Sequence, residues 1–189
     1  MMPFFSIITP TIQRESLKEC CASVDIQTYP DWEHIVMIDA AKVNESMINS
    51  CDRPNRRFAQ CLHPHHNYGN TCRHNAWPLT QGAYLLYLDD DNWLFDQNIL
   101  FEIAQALLSA PQWALFPILR HRSIFFNDPP GLCMTDTANV VVRREIGQWP
   151  NIPDYTADGH WVEALKRYPY EAHPDSRPIV VMQKSNEGR

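Results

Sequence analysis

The stretch Tyr84-Leu85-Leu86-Tyr87-Leu88-Asp89-Asp90-Asp91-Asn92-Trp93 constrains this chain more than any other. An apolar run ends abruptly in three carboxylates and an amide. Burying adjacent like charges is costly, so the run has to stop where a counter-ion or a ligand can compensate them. Read as an extended strand, the segment alternates faces, which puts Asp89 and Asp91 on one side and Asp90 on the other. Two carboxylates on one side of a strand end suit a hard divalent cation, Mg²⁺ or Mn²⁺, held together with the oxygens of a phosphate ligand. Taken alone, the triplet also reads as a solvated acidic turn after a buried strand.

A length of 189 residues fits one domain with a real core. The charged fraction of 20% and hydrophobic fraction of 44% are those of an ordinary globular chain rather than a disordered one. A formal charge of −6 with no Lys/Arg stripe argues against a nucleic-acid binder. An acidic chain repels an anionic ligand, so a nucleotide would need a metal or a local basic pocket. No apolar run reaches the roughly 18 residues of a membrane span, and none is expected. Met1 to Thr11 lacks a basic n-region and a small-residue cleavage site, so it reads as a first strand rather than a secretory leader.

The cysteines Cys20, Cys21, Cys51, Cys61, Cys72 and Cys133 form no disulfide framework, and reduced cytoplasmic thiols are the expectation. Exposed aromatics such as Phe125-Phe126 leave room for a peripheral position at the inner membrane face. Cys61, His63, His65, His66, Cys72 and His74 put six zinc-type ligands within 14 residues. Their spacing matches no common zinc module, and with Pro64 and Gly69 the segment reads as a polar loop.

Along the chain, apolar runs predict strands at Phe4–Thr9 (closed by Pro10), Glu33–Asp39, Arg57–Leu62, Tyr84–Leu88, Trp113–Ile118, Ala138–Val142 and Ile179–Met182. Helical spacing predicts helices over Arg14–Val24, Glu45–Cys51, Thr71–Thr80 and within Asp154–Tyr168. Another helix spans Gln97–Ser109, capped by Asp96 and stopped by Pro111. Ser123–Cys133 reads as an irregular loop. Strand and helix alternate through the first part of the chain, the signature of an α/β fold with a mostly parallel central sheet flanked by helices. Ligands of such sheets sit at the carboxyl ends of the strands. Thr9-Pro10-Thr11, Asp39 and Asp89–Asp91 all fall at such ends, so three polar sites should converge on one edge. No G-x-G-x-x-G or G-x-x-x-x-G-K-[ST] follows the first strand, which disfavours dinucleotide and P-loop sites.

The order of these motifs resembles the family-2 glycosyltransferases of the GT-A (Rossmann-like) fold. The likeness begins at Ser6-Ile7-Ile8-Thr9-Pro10-Thr11 with Arg14. It continues from Ser23-Val24 through Gln27-Thr28-Tyr29-Pro30-Asp31-Trp32-Glu33. Asp39 matches the family's base-contacting acid, and Arg73 stands nine residues before Gly82 as the family's Arg does. Leu88-Asp89-Asp90-Asp91-Asn92-Trp93 is similar to the family's metal (DXD) motif. Asp158, in Ala157-Asp158-Gly159-His160-Trp161, falls where the family has its catalytic base, with Gly159 in place of a second acid. Tyr170-x-x-His173-x-x-Ser176 is similar to a tail motif whose His closes over metal and diphosphate.

The resemblance implies a single catalytic domain over 1–189, with a nucleotide-binding part at about 1–110 and an acceptor and catalytic-base part at about 111–189. It implies transfer of a hexosyl or related group from a UDP-, GDP- or dTDP-sugar to a glycan or other hydroxyl acceptor, with inversion, in polysaccharide or glycoconjugate assembly. Implied roles are metal binding for Asp91, Asp89 and His173, nucleotide binding for Thr9, Pro10, Thr11, Arg14, Asp39, Arg73, Asp89 and Asp90, and proton abstraction for Asp158. Asp154 and Asp136 are the fallback bases. Each residue also has a structural reading: Asp158 as a helix N-cap, Asp39 as a strand-end turn, Arg73 as a surface helix arginine, Trp93 as core, His160 and His173 as ordinary histidines. Two other functions fit the pattern, a nucleotide-sugar-binding module without catalysis and a nucleotidyltransferase. The latter class opens with a Gly-rich loop that Thr9–Arg14 lacks.

Overall fold

The uncharged segment Phe5–Thr11 (β1) is wholly buried and lies in the middle of the structure. The computed structural model describes residues 4–132 and 134–182. After β1 come helix Leu17–Asp25 (α1), strand Trp32–Ile38 (β2), helix Glu45–Cys51 (α2), strand Arg56–Gln60 (β3), helix Asn70–Ala76 (α3) and strand Tyr84–Tyr87 (β4). The second part holds Asn92–Leu94 (β5), helix Ile99–Ala106 (α4), Trp113–Leu115 (β6), Ile118–Arg120 (β7), Ser123–Phe125 (β8), Val140–Arg143 (β9), helix Ala157–Leu165 (α5), Tyr170–Ala172 (β10) and Val180–Met182 (β11).

Seven strands form the main sheet in the order β10-β6-β9-β4-β1-β2-β3. β1 pairs in parallel with β2 and β4, β2 with β3, and β10 with β6, while β9 runs antiparallel between β4 and β6. The sheet is the mostly parallel one expected. Neighbouring residues of β1 and β4 alternate between two cores. Phe5, Ile7, Tyr84 and Leu86 face a cluster with α1 and α4, whereas Ile8, Leu85 and Tyr87 face one with α3 and α5. Covering both faces with helices is why these strands read as continuous apolar runs.

Pro10 lies inside β1 instead of ending it. β4 pairs only with Phe5–Ile8, so Pro10 has a partner strand on one side alone, where its missing N–H is tolerated. The predicted strand at Trp113–Ile118 breaks in two. Its second piece, β7, joins β5, β8 and β11 in a small four-stranded sheet. Ser123–Phe125, expected as loop, forms the hairpin strand β8. The Thr71–Thr80 helix ends at Ala76 and tightens into a 3-10 turn at Trp77–Leu79, where Pro78 breaks the α pattern. Residues 183–189 and Cys133 lie outside the described residues. Among the described residues no helix is long and apolar enough to cross a membrane.

One buried polar network supports the strand that leads to the site. Arg56 donates from Nε to His34 Nδ1 (2.9 Å) and pairs with Asp25 (2.7 Å). Since a guanidinium can only donate, His34 carries its proton on Nε2 and donates it to Thr9 Oγ1 (2.9 Å). Burial, and then the Arg56 charge, holds His34 well below its usual pKa, so the ring is neutral.

Candidate active site

β1, β2 and β4 are parallel neighbours, so their carboxyl ends open on one edge. Several of the predicted residues meet there, whereas the Thr9 side chain turns inward to His34 and Cys20. Thr11 Oγ1 donates to Asp90 Oδ2 (2.6 Å), and Arg14 Nη1 donates to Asp90 Oδ1 (2.9 Å) and reaches Asp91 Oδ2 (3.4 Å). Arg73, on α3, forms an ion pair with Asp89. Its guanidinium lies 4.9 Å from the centre of the Trp149 ring and donates to the Tyr68 carbonyl (2.7 Å). Trp149 was not anticipated from the sequence: nothing in its local pattern separates it from an ordinary core tryptophan.

The Asp triplet is a turn and not a continued strand. β4 ends at Tyr87, and Asn92 N–H closes back on the Asp89 carbonyl (3.0 Å). The two-residue alternation therefore does not set its geometry. Asp90 is turned inward, 3% exposed, and anchors Thr11 and Arg14. Asp89 and Asp91 stay partly open, with side chains 35% and 21% exposed. Burial pushes the Asp90 carboxyl up to about 6 against the opposing pull of Thr11 and Arg14. Asp91 is raised by burial and then by the charge of Asp89.

Two further carboxylates join from the other half of the chain. Asp136 stands just before β9, whose entry shares this edge because β9 runs antiparallel. It caps the 3-10 turn Thr137–Asn139 through a bond from Ala138 N–H (3.0 Å). Burial pushes its carboxyl up to about 6; Asp89 and Asp158 act in the same direction, and Arg120 opposes them. Asp158 sits in the first turn of α5 and accepts from Gly159 N–H (2.7 Å). It is not the N-cap, a position taken by Thr156. Burial raises Asp158, partly offset by the Gly159 bond and by Arg73. Asp154 differs: it is exposed, it accepts from the backbone and hydroxyl of Thr156, and these bonds pull it below the usual carboxylate range.

Asp39, at the end of β2, is 3% exposed and accepts from the backbone N–H of His65 (2.7 Å) and His66 (3.0 Å). It thus fixes the loop after β3. The His and Cys residues around it do not gather as one group. His74 bonds the Trp149 carbonyl (2.8 Å), and His63, His65 and His66 are exposed on the loop. Cys61 and Cys72 instead meet Asp39, with ligand atoms of all three within 4.8 Å of one another. His173 follows β10. Its ring stacks on Phe116 (4.8 Å), and its buried Nε2 has no hydrogen-bond partner among the described residues, Glu171 being 3.8 Å away. Trp93 lies in the small sheet, paired with Val181.

Asp89, Asp90, Asp91, Asp136 and Asp158 thus face Arg14, Arg73 and Arg120, an excess of negative charge around a partly desolvated edge. Every donor in that set is a carboxylate oxygen, the chemistry of a hard divalent cation, and the upward displacement of four of the five carboxyls is what such a cation would relieve.

Among solved structures, the chain is similar to TarS 1-349 of S. aureus (TM-score 0.78, 14% identity, 95% of this chain and 60% of that one). It is also similar to the same protein in complex with UDP-GlcNAc (TM-score 0.76, 17% identity, 98% and 59%). The mannosyltransferase PcManGT from Pyrobaculum calidifontis, in complex with GDP-Man and Mn2+, matches with a TM-score of 0.74 at 16% identity, over 100% of this chain and 59% of that one. These likenesses are of fold, and the chain spans about three-fifths of the length of each. None of the curated protein sequences compared is significantly similar to it. The family model for glycosyl transferase family 2 matches residues 6–162, a span that runs from β1 into α5 and takes in the whole carboxylate edge. By that match, over most of its length, the chain belongs to glycosyl transferase family 2.

Proposed function

We propose that this chain transfers a glycosyl group from a nucleoside-diphosphate sugar to an acceptor hydroxyl, with inversion at the anomeric carbon. The observation that carries the reading is the carboxylate-rich edge, where five acids from three segments meet fewer guanidiniums. Thr11 and Arg14, held by Asp90, would meet the donor, with Thr9 and Pro10 supporting them from within β1, and Asp39, at the end of β2, would accept a nucleobase N–H on a remaining lone pair. Arg73, braced by Trp149, offers planar paired donors to a diphosphate. Asp89 and Asp91 would hold Mn²⁺ or Mg²⁺, with the unpartnered Nε2 of His173 completing the set from the β10 end. When bound, that cation would neutralise charge developing on the leaving nucleoside diphosphate.

Asp158 takes the acceptor proton. Its raised pKa makes it a stronger base than an ordinary aspartate, and proton transfer of this kind contributes about 10²–10⁴-fold in rate. Attack from the face opposite the leaving group inverts the centre. Residues up to about 110 form the donor part and those from about 111 onward the acceptor part. A reducing compartment such as the cytoplasm suits the buried thiols Cys20, Cys21 and Cys51. Gly159, standing beside Asp158 where a second acid is expected, favours one second reading, a nucleotide-sugar-binding module that has lost catalysis.

Calorimetric titration of UDP, GDP, dTDP and CDP, each with and without Mn²⁺, tests the site. One nucleotide should bind in a manner that needs both Mn²⁺ and Asp91, and Asp91→Ala should lose it while remaining folded. Undiminished Mn²⁺-dependent binding by Asp91→Ala would remove the metal from this turn. Binding without transfer or donor hydrolysis over a broad acceptor panel would select the second reading.

A further inference from the structure

Cys61 and Cys72 have no part in the chemistry above, yet their thiols meet in the interior. Cys61 follows β3 and Cys72 lies on α3, and their sulfurs are 3.1 Å apart. We propose that this pair is an oxidisable dithiol, which a hydroperoxide converts into an intramolecular Cys61–Cys72 disulfide. The inference does not depend on sugar transfer.

Three observations favour it over the alternative occupant, a zinc ion. A tetrahedral zinc with Zn–S bonds of about 2.3 Å holds its sulfurs about 3.8 Å apart, and these are closer. The third group near them, Asp39, already accepts a backbone N–H on each oxygen. The histidines that would complete a tetrahedron are exposed on the loop or bonded elsewhere. By contrast, closing 3.1 Å to a disulfide's roughly 2.05 Å needs about 1 Å of movement. The connecting segment is exposed and carries positive φ at His66 (50°), Tyr68 (61°) and Gly69 (76°).

The two sulfurs have distinct roles. Cys61 is 4% exposed and Cys72 not at all, so the oxidant meets Cys61 first. The bond between the thiols lowers the pKa of Cys61 and, with burial, raises that of Cys72, which marks Cys61 as the nucleophile. Its thiolate attacks a peroxide oxygen; the O–O bond breaks, a sulfenic acid forms, and the other oxygen leaves as water or an alcohol after taking a proton. The Cys72 sulfur then attacks the Cys61 sulfur, the S–O bond breaks, the S–S bond forms, and water departs. Two thiols have lost two protons and two electrons, and one peroxide has been reduced. Cys21 and Cys51 pack in a separate apolar cluster, where burial pushes Cys21 up to about 12, and they should stay reduced.

The test uses the whole reduced chain, treated with hydrogen peroxide and then alkylated and digested. A peptide pair joined through Cys61 and Cys72 is expected, 2 Da lighter than the two free peptides, with Cys20, Cys21 and Cys51 alkylated normally after unfolding. Protease cleavage between residues 62 and 71 should slow in the oxidised form and recover on adding dithiothreitol. Cys61→Ser and Cys72→Ser should each abolish the joined pair; the wild-type comparison stands even if a variant folds poorly. Free alkylation of both thiols after peroxide, over-oxidation of Cys61 without crosslinking, or one equivalent of bound zinc that shields the pair would each overturn the proposal.

Discussion

Replacing Asp136 with Asn separates a buried charge from a structural cap. Its bond from Ala138 N–H opens the turn before β9, and Asn caps as well as Asp does. Only the charge is lost. In the folded chain the carboxyl is pushed up to about 6, chiefly by burial, against an unfolded value near 3.9. The folded state therefore binds this proton more tightly than the unfolded state. The carboxyl costs nothing below about pH 4, stability falls as pH rises from there to about 6, and the full penalty persists above. A displacement from about 4 to about 6 corresponds to about 3 kcal/mol, at 1.4 kcal/mol for each tenfold change in proton affinity. The charges of Asp89 and Asp158 contribute part of that displacement, so a gain of about 1–3 kcal/mol is expected from Asp136→Asn at pH 8. For a chain of this size, that raises Tm by roughly 2–10 °C. Urea and thermal unfolding of both proteins in EDTA at pH 8 and pH 4 measures it. The variant should be the more stable at pH 8 and equal to wild type at pH 4, and added Mn²⁺ should narrow the gap at pH 8. Equal or lower stability of the variant at pH 8, or the same difference at both pH values, would refute the electrostatic account of the edge.

The base and the packing yield two more expectations. Asp158→Asn should lower the single-turnover transfer rate by about 10²–10⁴-fold while nucleotide affinity by calorimetry stays within a few-fold, and equal losses in both would place Asp158 in donor binding instead. Gly82→Ala puts a Cβ 2.5 Å from the Ser6 nitrogen and 2.6 Å from the Phe5 carbonyl carbon, backbone atoms of the central strand that cannot step aside. Denaturant unfolding should show a loss of about 2–3 kcal/mol or more, and a cost under about 0.5 kcal/mol would contradict the close approach of these chains.

The parts of the fold legible in the sequence are those with long runs. β1, β2, β4 and α4 declare themselves because burial on both faces or along a broad stripe leaves an unbroken apolar record. Of the small sheet only β11 was anticipated, as Ile179–Met182; β5, β7 and β8 have three residues each, too few to show a period. That the strand ends carrying Thr9-Pro10-Thr11, Asp39 and the Asp triplet open on one edge follows from the parallel pairing of β1, β2 and β4. Within the triplet Asp90 does part from Asp89 and Asp91, but the reason differs: alternation presumes extended backbone, and it is a turn at Asp89–Asn92 that sends Asp90 inward to Thr11. Asp136 was only a fallback, because its place depends on β9 running against its neighbours, which no local pattern announces. The bracing of Arg73 by Trp149 is likewise a long-range contact between residues that look ordinary where they stand.

The central position of β1 has a bearing on how the chain is born. This strand is synthesised before its neighbours, yet its bond from Thr11 to Asp90 waits for a residue 79 positions later, and Asn70 waits 84 positions for the Asp154 carbonyl. Pairings so distant are slow to form, because the intervening chain must be closed before any contact rewards it. Until then Asp136 and Asp158 stand apart from the Asp89–Asp91 turn, fully hydrated, and add nothing to the repulsion among those three. Their share arises only as the last segments dock. A chain halted before residue 136 therefore holds the parallel strands β1 to β4 without Asp136 or Asp158, and the assembled edge needs the segments through α5.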